Sequence, residues 1–145
     1  MMEIRAKARR LVQRHGIRMI VVDYIQLMTS GKKVESRQQE VSEFSRQMKL
    51  MAKELNIPVV ALSQLNRGPE NRADKRPVLS DLRESGSLEQ DADIVIMISR
   101  EMDKESPKAG EAELIIGKHR NGITKDIQVA FQAHKSCFTD MPRGI

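Results

Sequence analysis

Three short, uninterrupted apolar runs constrain this chain more than any other feature: Met19-Ile20-Val21-Val22, Val59-Val60-Ala61-Leu62 and Ile94-Val95-Ile96-Met97-Ile98. Each is too short for an ordinary helix and rich in β-branched residues, the pattern of a buried strand. The first runs into Asp23 and the second into Ser63-Gln64. Between them Val41, Phe44, Met48, Met51, Ala52 and Leu55 recur at helical spacing, which predicts a helix over 37–55. Ser36 followed by Gln39 resembles a capping box, and Asn56 with Pro58 supplies the stop. Residues 3–15 predict another amphipathic helix, with Ile4, Ala8, Leu11 and Val12 on one face and Gly16 at its end. Apolar strands separated by a helix predict a mainly parallel sheet flanked by helices.

The carboxyl-terminal third changes period. Leu114-Ile115-Ile116 lies in an apolar stretch over 112–118, and Ile127, Val129 and Phe131 alternate with Asp126, Gln128 and Ala130. Asn121-Gly122 between them signals a hairpin turn, so the sheet should carry a C-terminal antiparallel hairpin. Residues 65–86 are poor in apolar side chains and contain Gly68, Pro69, Pro77 and Gly86. A connection that long is often functional. Residues 87–91 read as a short helix and 100–110 as a charged loop. With 145 residues the chain is expected to form one α/β domain.

Composition excludes several classes of function. No run approaches the roughly 20 apolar residues of a membrane span, and no apolar leader opens the chain, so no membrane association is expected. The single cysteine, Cys137, cannot form an internal disulfide and suits a reducing cytoplasm. One cysteine and three scattered histidines make no zinc site. The net charge of +5 permits a polyanion partner. One Tyr, three Phe and no Trp offer few stacking platforms, so any grip on single-stranded DNA should be on phosphates.

Strand ends in such sheets are where ligands gather. Asp23 is placed to hold Mg²⁺ beside a nucleotide, or is a simple turn residue. Gln64 can sense a γ-phosphate or orient water, or merely enters a loop. Lys118 and Arg120, on one face at the hairpin rim, could reach a phosphate or serve only solubility. Arg83, Glu84 and Gly86 lie in the long polar segment, where Arg and exposed backbone suit an anion. No Gly-x₄-Gly-Lys-Ser/Thr phosphate loop occurs: Gly117-Lys118 is followed by His119 and has no glycine at 112.

Taken together, these strings resemble the DnaB family of bacterial replicative helicases. Residues 20–28 (IVVDYIQLM) resemble its Walker B strand, and 52–67 (AKELNIPVVALSQLNR) its third motif. Residues 72–77 and 81–93 (DLRESGSLEQDAD) resemble the fourth motif, and 116–122 (IGKHRNG) the final hairpin. The resemblance runs in family order from about Glu3 to Phe138. It implies a RecA-like ATPase core, here a partial domain over 1–145 lacking the Walker A region. It also implies ATP and Mg²⁺ as cofactors, a homo-hexameric ring, and 5′ to 3′ movement on single-stranded DNA. Primase and a helicase loader are the implied partners. By position, Asp23 would be the magnesium-associated carboxylate and Gln64 the coupling residue. Arg83, Glu84 and Gly86 would form the channel loop. Arg120 would be the arginine finger, with Lys118 beside it on the neighbouring subunit's ATP.

The chain departs from the family pattern at several places. His119 stands where many members have Gln and receives no role; Lys135-Ser136-Cys137-Phe138 lacks an arginine common near the end; Ile123 replaces a frequent Pro. A chain without the phosphate loop is expected to be inactive alone and to leave apolar sheet surface bare. The alternatives are a non-catalytic DNA-binding or assembly module derived from the helicase, and another RecA-like ATPase such as a recombinase. The Asp81–Ser87 string argues against the recombinase.

Overall fold

A computed structural model describes residues 1–31, 36–85, 87–100 and 105–141. The chain forms two compact units, residues 1–66 with 82–92, and residues 67–81 with 93–145.

In the first unit, α1 (Met2–His15), β1 (Ile20–Val22), α2 (Arg37–Leu55), β2 (Val59–Ala61) and the short α3 (Leu88–Asp91) follow the sequence expectations to within a residue or two. Gly16 closes α1 in the left-handed conformation, its N–H donating to the Val12 carbonyl. The Ser36 hydroxyl accepts from the Gln39 N–H at the start of α2, and Asn56 closes that helix, also left-handed. β1 and β2 pair in parallel, Ile20 opposite Val59 and Val22 opposite Ala61. The core comprises Ala8, Ile25, Val41, Phe44, Met48 and Met51, with Ile20, Val22, Val59 and Leu88 packed against it. Glu54 near the end of α2 takes both Arg5 and Arg9, one turn apart on α1. Glu40, on the buried side of α2, accepts from the Ser30 N–H and pairs with Arg37.

The second unit is a four-stranded antiparallel sheet in the order β3 (Ile94–Arg100), β4 (Glu111–His119), β5 (Lys125–Gln132), β6 (Cys137–Asp140). Here the expectation of a mainly parallel sheet needs correction. Among the described residues, parallel pairing is confined to β1 and β2; β3 pairs antiparallel with β4, Met97 opposite Ile115. An all-apolar run carries no alternation, so its sequence could not reveal which way its partner ran. β6 was not foreseen either: its four residues mix polar and apolar, and it pairs antiparallel with β5, Phe138 opposite Phe131 with 5.0 Å between ring centres.

Residues 65–86, expected to be an irregular loop, contain two 3₁₀ segments, Gly68–Asn71 and Leu79–Ser85. Ionic staples replace apolar packing between them. Arg72 grips both oxygens of Asp81 and the Arg76 carbonyl. Asp81, almost fully buried, also accepts from the Val78 N–H at 2.7 Å. Arg76 reaches across to Glu113 and Asp126 on β4 and β5.

The apolar strands are covered on one side only. Val21 and Val60 stand side by side and exposed, as do Ile94, Ile96 and Ile98 on alternate positions of β3. This matches the expectation of bare apolar sheet surface.

Two outcomes follow from burial and charge. Phe44→Ala should lower the unfolding free energy by about 3–5 kcal/mol, whereas Ile96→Ala, at a mostly exposed position, should stay within about 0.5 kcal/mol, both read by urea titration. Ser30 and Arg37 hold the Glu40 carboxyl below its ordinary value, and Arg72 with the Val78 N–H does the same for Asp81. A carboxylate depressed in the folded state stabilises while it is ionised, and that contribution disappears as pH falls through the folded value. Thermal midpoints should therefore drop steeply below about pH 4, and less steeply in Glu40→Gln/Asp81→Asn, where both titrations are gone.

Candidate functional site

The first candidate site lies at the carboxyl ends of β1 and β2. The ladder between them continues past the strands: the Leu62 N–H donates to the Val22 carbonyl at 2.9 Å, and the Ile25 N–H to the Leu62 carbonyl at 3.0 Å. Asp23 and Gln64 therefore emerge from neighbouring strand ends of one unit, and both are exposed. Ile25 pins the turn after Asp23 by complete burial in the core. The peptide between Asp23 and Tyr24 is cis.

The sequence reading missed a third member of this site. Gln26 lies in the 3₁₀ turn Ile25–Leu27. Its side-chain carbonyl accepts from the Gln64 N–H at 3.2 Å. Its amide NH₂ donates to the Gln64 carbonyl at 3.0 Å and to the Ser63 hydroxyl at 2.9 Å. The backbone carbonyl of Gln26 accepts from Arg37, the partner of Glu40. The only hint in the sequence was a lone amide inside the apolar string Ile25-Gln26-Leu27-Met28.

Among the described residues, no group of three or more His, Cys, Asp or Glu could enclose a metal ion. Mg²⁺ does not require such a group, because this ion keeps several waters and is usually held through one or two carboxylates and the substrate's phosphates. A single exposed carboxylate at a strand end, Asp23, fits that description.

The second candidate site is the rim of the β4–β5 hairpin. A bulge shifts the register between Val95 and Ile96, so that Gly117 is the extra residue and Lys118 falls opposite Val95. A Cβ at Gly117 would lie 2.6 Å from the Met97 methyl, so a larger residue there would have to displace the flexible end of that side chain. Lys118 lies on β4, but Arg120, expected on the same face of that strand, lies just past its end. β4 ends at His119, and Arg120 sits in the turn. Its N–H donates to the Asp93 carbonyl at 2.8 Å, and its guanidinium lies 3.3 Å from the Asp93 carboxylate. Both side chains are about half exposed, at 49% and 55%, so the ion pair is wet and opens at little cost. Residues 120–124 connect the strands, and neither Asn121 nor Gly122 takes a positive φ. The His119 ring lies against Gly122.

Of the third group, Arg83 and Glu84 fall within the 3₁₀ segment Leu79–Ser85 and Gly86 lies outside the described residues. The chain after them is anchored: Asp91 accepts from the hydroxyls of Ser45 and Ser87, and the Ser87 N–H donates to the Ser42 hydroxyl. No helix among the described residues is long and apolar enough to cross a membrane.

The chain is 68% identical over 143 residues to the replicative DNA helicase DnaB of Leifsonia xyli subsp. xyli (strain CTCB07), covering 97% of this chain and 31% of that protein. It is 67% identical to the replicative DNA helicase DnaB of Mycobacterium intracellulare, covering 99% of this chain and 25% of that one. The chain thus spans under a third of the length of these relatives. Among solved structures, a DnaB-like replicative helicase described with its interactions with primase superposes with a TM-score of 0.89 at 44% identity, over 96% of this chain and 34% of that one. Residues 1–140 match the family described as the DnaB-like helicase C terminal domain, and the chain belongs to that family.

Proposed function

We propose that this chain is part of the motor of an ATP-dependent replicative DNA helicase, a RecA-like domain that works as a hexameric ring and moves 5′ to 3′ along single-stranded DNA. Residues 1–145 are read as one continuous portion of that motor domain. The observation that carries the reading is that Asp23 and Gln64 are both exposed just past the carboxyl ends of two neighbouring parallel strands.

In this reading Asp23 contributes one carboxylate toward Mg²⁺. The ion, when bound with ATP, offsets charge developing on the transferring phosphoryl group. Gln64 donates its side-chain amide toward the γ-phosphate and carries its presence or loss into the segment that follows it. Arg120 leaves its exposed partner Asp93 and turns to the triphosphate of the adjacent subunit, where a planar guanidinium stabilises spreading negative charge. Lys118 adds a second cation to the same rim. Arg83, Glu84 and the backbone at Gly86 hold the DNA strand in the ring's channel. Contacts to phosphates suit an enzyme indifferent to sequence, and the scarcity of aromatic side chains agrees with this. The 145 residues contain no phosphate loop, so by themselves they should not turn ATP over. The similar helicase structure is described with its interactions with primase, which makes primase one expected partner here and a loader another.

Both assignments are testable in a full-length helicase carrying this chain. Arg120→Ala should lower kcat by about 10³-fold or more while ATP binding persists. Turnover near the parent's would remove the finger. Arg83→Ala should weaken single-stranded DNA binding and reduce the slope of log K against log salt by about 1. An unaltered slope would remove Arg83 from the DNA contact.

A further inference from the structure

We infer that Gln26 is a positioning residue for Gln64, acting as a detachable last rung of the β1–β2 ladder. The ordinary ladder ends at the bond from the Ile25 N–H to the Leu62 carbonyl. Beyond it the chain after β1 turns into the Ile25–Leu27 3₁₀ segment, so no extended backbone stands opposite Gln64. Gln26 fills that place with its side chain. A primary amide carries donor and acceptor together, as a peptide group does. It meets both backbone groups of Gln64 at once, at 3.2 and 3.0 Å, and spends a further N–H on Ser63 at 2.9 Å.

Two consequences follow from this geometry. The backbone of Gln64 is fixed without use of its own side chain, which stays exposed. The rung is also the weakest link between the strands, because it ends on a rotatable side chain and not on a second backbone. A shift of Gln64 can be taken up by rotation of Gln26 while the buried Ile25 keeps β1 in place. The far side of the rung is held: Arg37 bonds the Gln26 carbonyl and pairs with Glu40, which binds the Ser30 N–H. Movement at Gln64 is thus allowed on one side of Gln26 and resisted on the other. Glu at this position would keep the acceptor for the Gln64 N–H but lose both donor bonds and face the Gln64 carbonyl with negative charge. Met would keep the shape and lose all three bonds.

This inference rests on the reading of Gln64 as the residue that senses the γ-phosphate. The test uses a full-length helicase carrying this chain, with Gln26→Met, Gln26→Glu, Gln64→Ala and the Gln26→Met/Gln64→Ala pair. The quantities measured are kcat and KM for ATP, with and without single-stranded DNA. Gln26→Met should lose about tenfold or more in DNA-stimulated kcat with KM for ATP within about twofold, since misplacement costs rate and not ground-state binding. Gln26→Glu should also lose DNA-stimulated kcat, since it forfeits both donor bonds and sets a charge against the Gln64 carbonyl, and it carries the test should the Met variant fail to assemble. The double variant should be no worse than Gln64→Ala alone, because the two residues act as one unit. Normal DNA-stimulated turnover in the Gln26 variants beside a defective Gln64→Ala would overturn the inference and leave the role of Gln64 standing. Losses that add in the double variant would also overturn it. A normal Gln64→Ala would instead defeat the reading on which the inference depends.

Discussion

The parallel pairing of β1 with β2 is the constraint on which the first unit depends. It is only three residues long on each strand, and it is prolonged by the bonds at Leu62 and Ile25. Such a short ladder would fray if hydrogen bonds alone held it, since each contributes about 1 kcal/mol net. What keeps it is Ile25, wholly buried in the core cluster that also holds Phe44, Met48 and Met51 of α2. The same burial fixes where the chain leaves β1. It therefore fixes where Asp23 and Gln64 emerge. Core packing and the proposed chemistry meet in one side chain two residues beyond the candidate metal carboxylate.

Elsewhere, polar contacts do what apolar side chains are too few to do. Residues 67–81 contain little to bury, and Arg72 and Arg76 order them by binding carboxylates and a carbonyl from fixed directions. A guanidinium suits this task because its fork of donors dictates geometry as well as charge. Pairing of this sort favours a defined arrangement over raw stability, as charges must be desolvated to make it. A segment leading to the proposed DNA contact benefits from definition of that kind.

The helices and most strands were legible because their signals are local. Ser36 with Gln39 and Asn56 with Pro58 bound α2, and the spacing from Val41 to Leu55 shows its buried face. Asp23 and Gln64 were legible as strand-end residues, since an apolar run that stops on a polar side chain marks the place. Gln26 was not, because its importance lies in partners 37 and 38 positions away. Arg120 was legible as a residue near the hairpin turn, but its bond from the N–H to the Asp93 carbonyl was not, because that partner lies far away in the chain.

The order of residues along the chain was enough to establish which segments become helix or strand, the family strings at 20–28, 52–67 and 81–93, and the lack of a phosphate loop. These follow from hydrophobic period, capping and residue identity, all properties of near neighbours. Folding in three dimensions was needed to establish that β3 runs antiparallel to β4, that β6 joins the sheet, that Arg72 and Arg76 order a polar segment, and that Gln26 clasps Gln64. Strand direction and long-range hydrogen bonding arise between residues far apart in the chain, and an all-apolar run or an isolated polar side chain looks the same whichever partner it will meet.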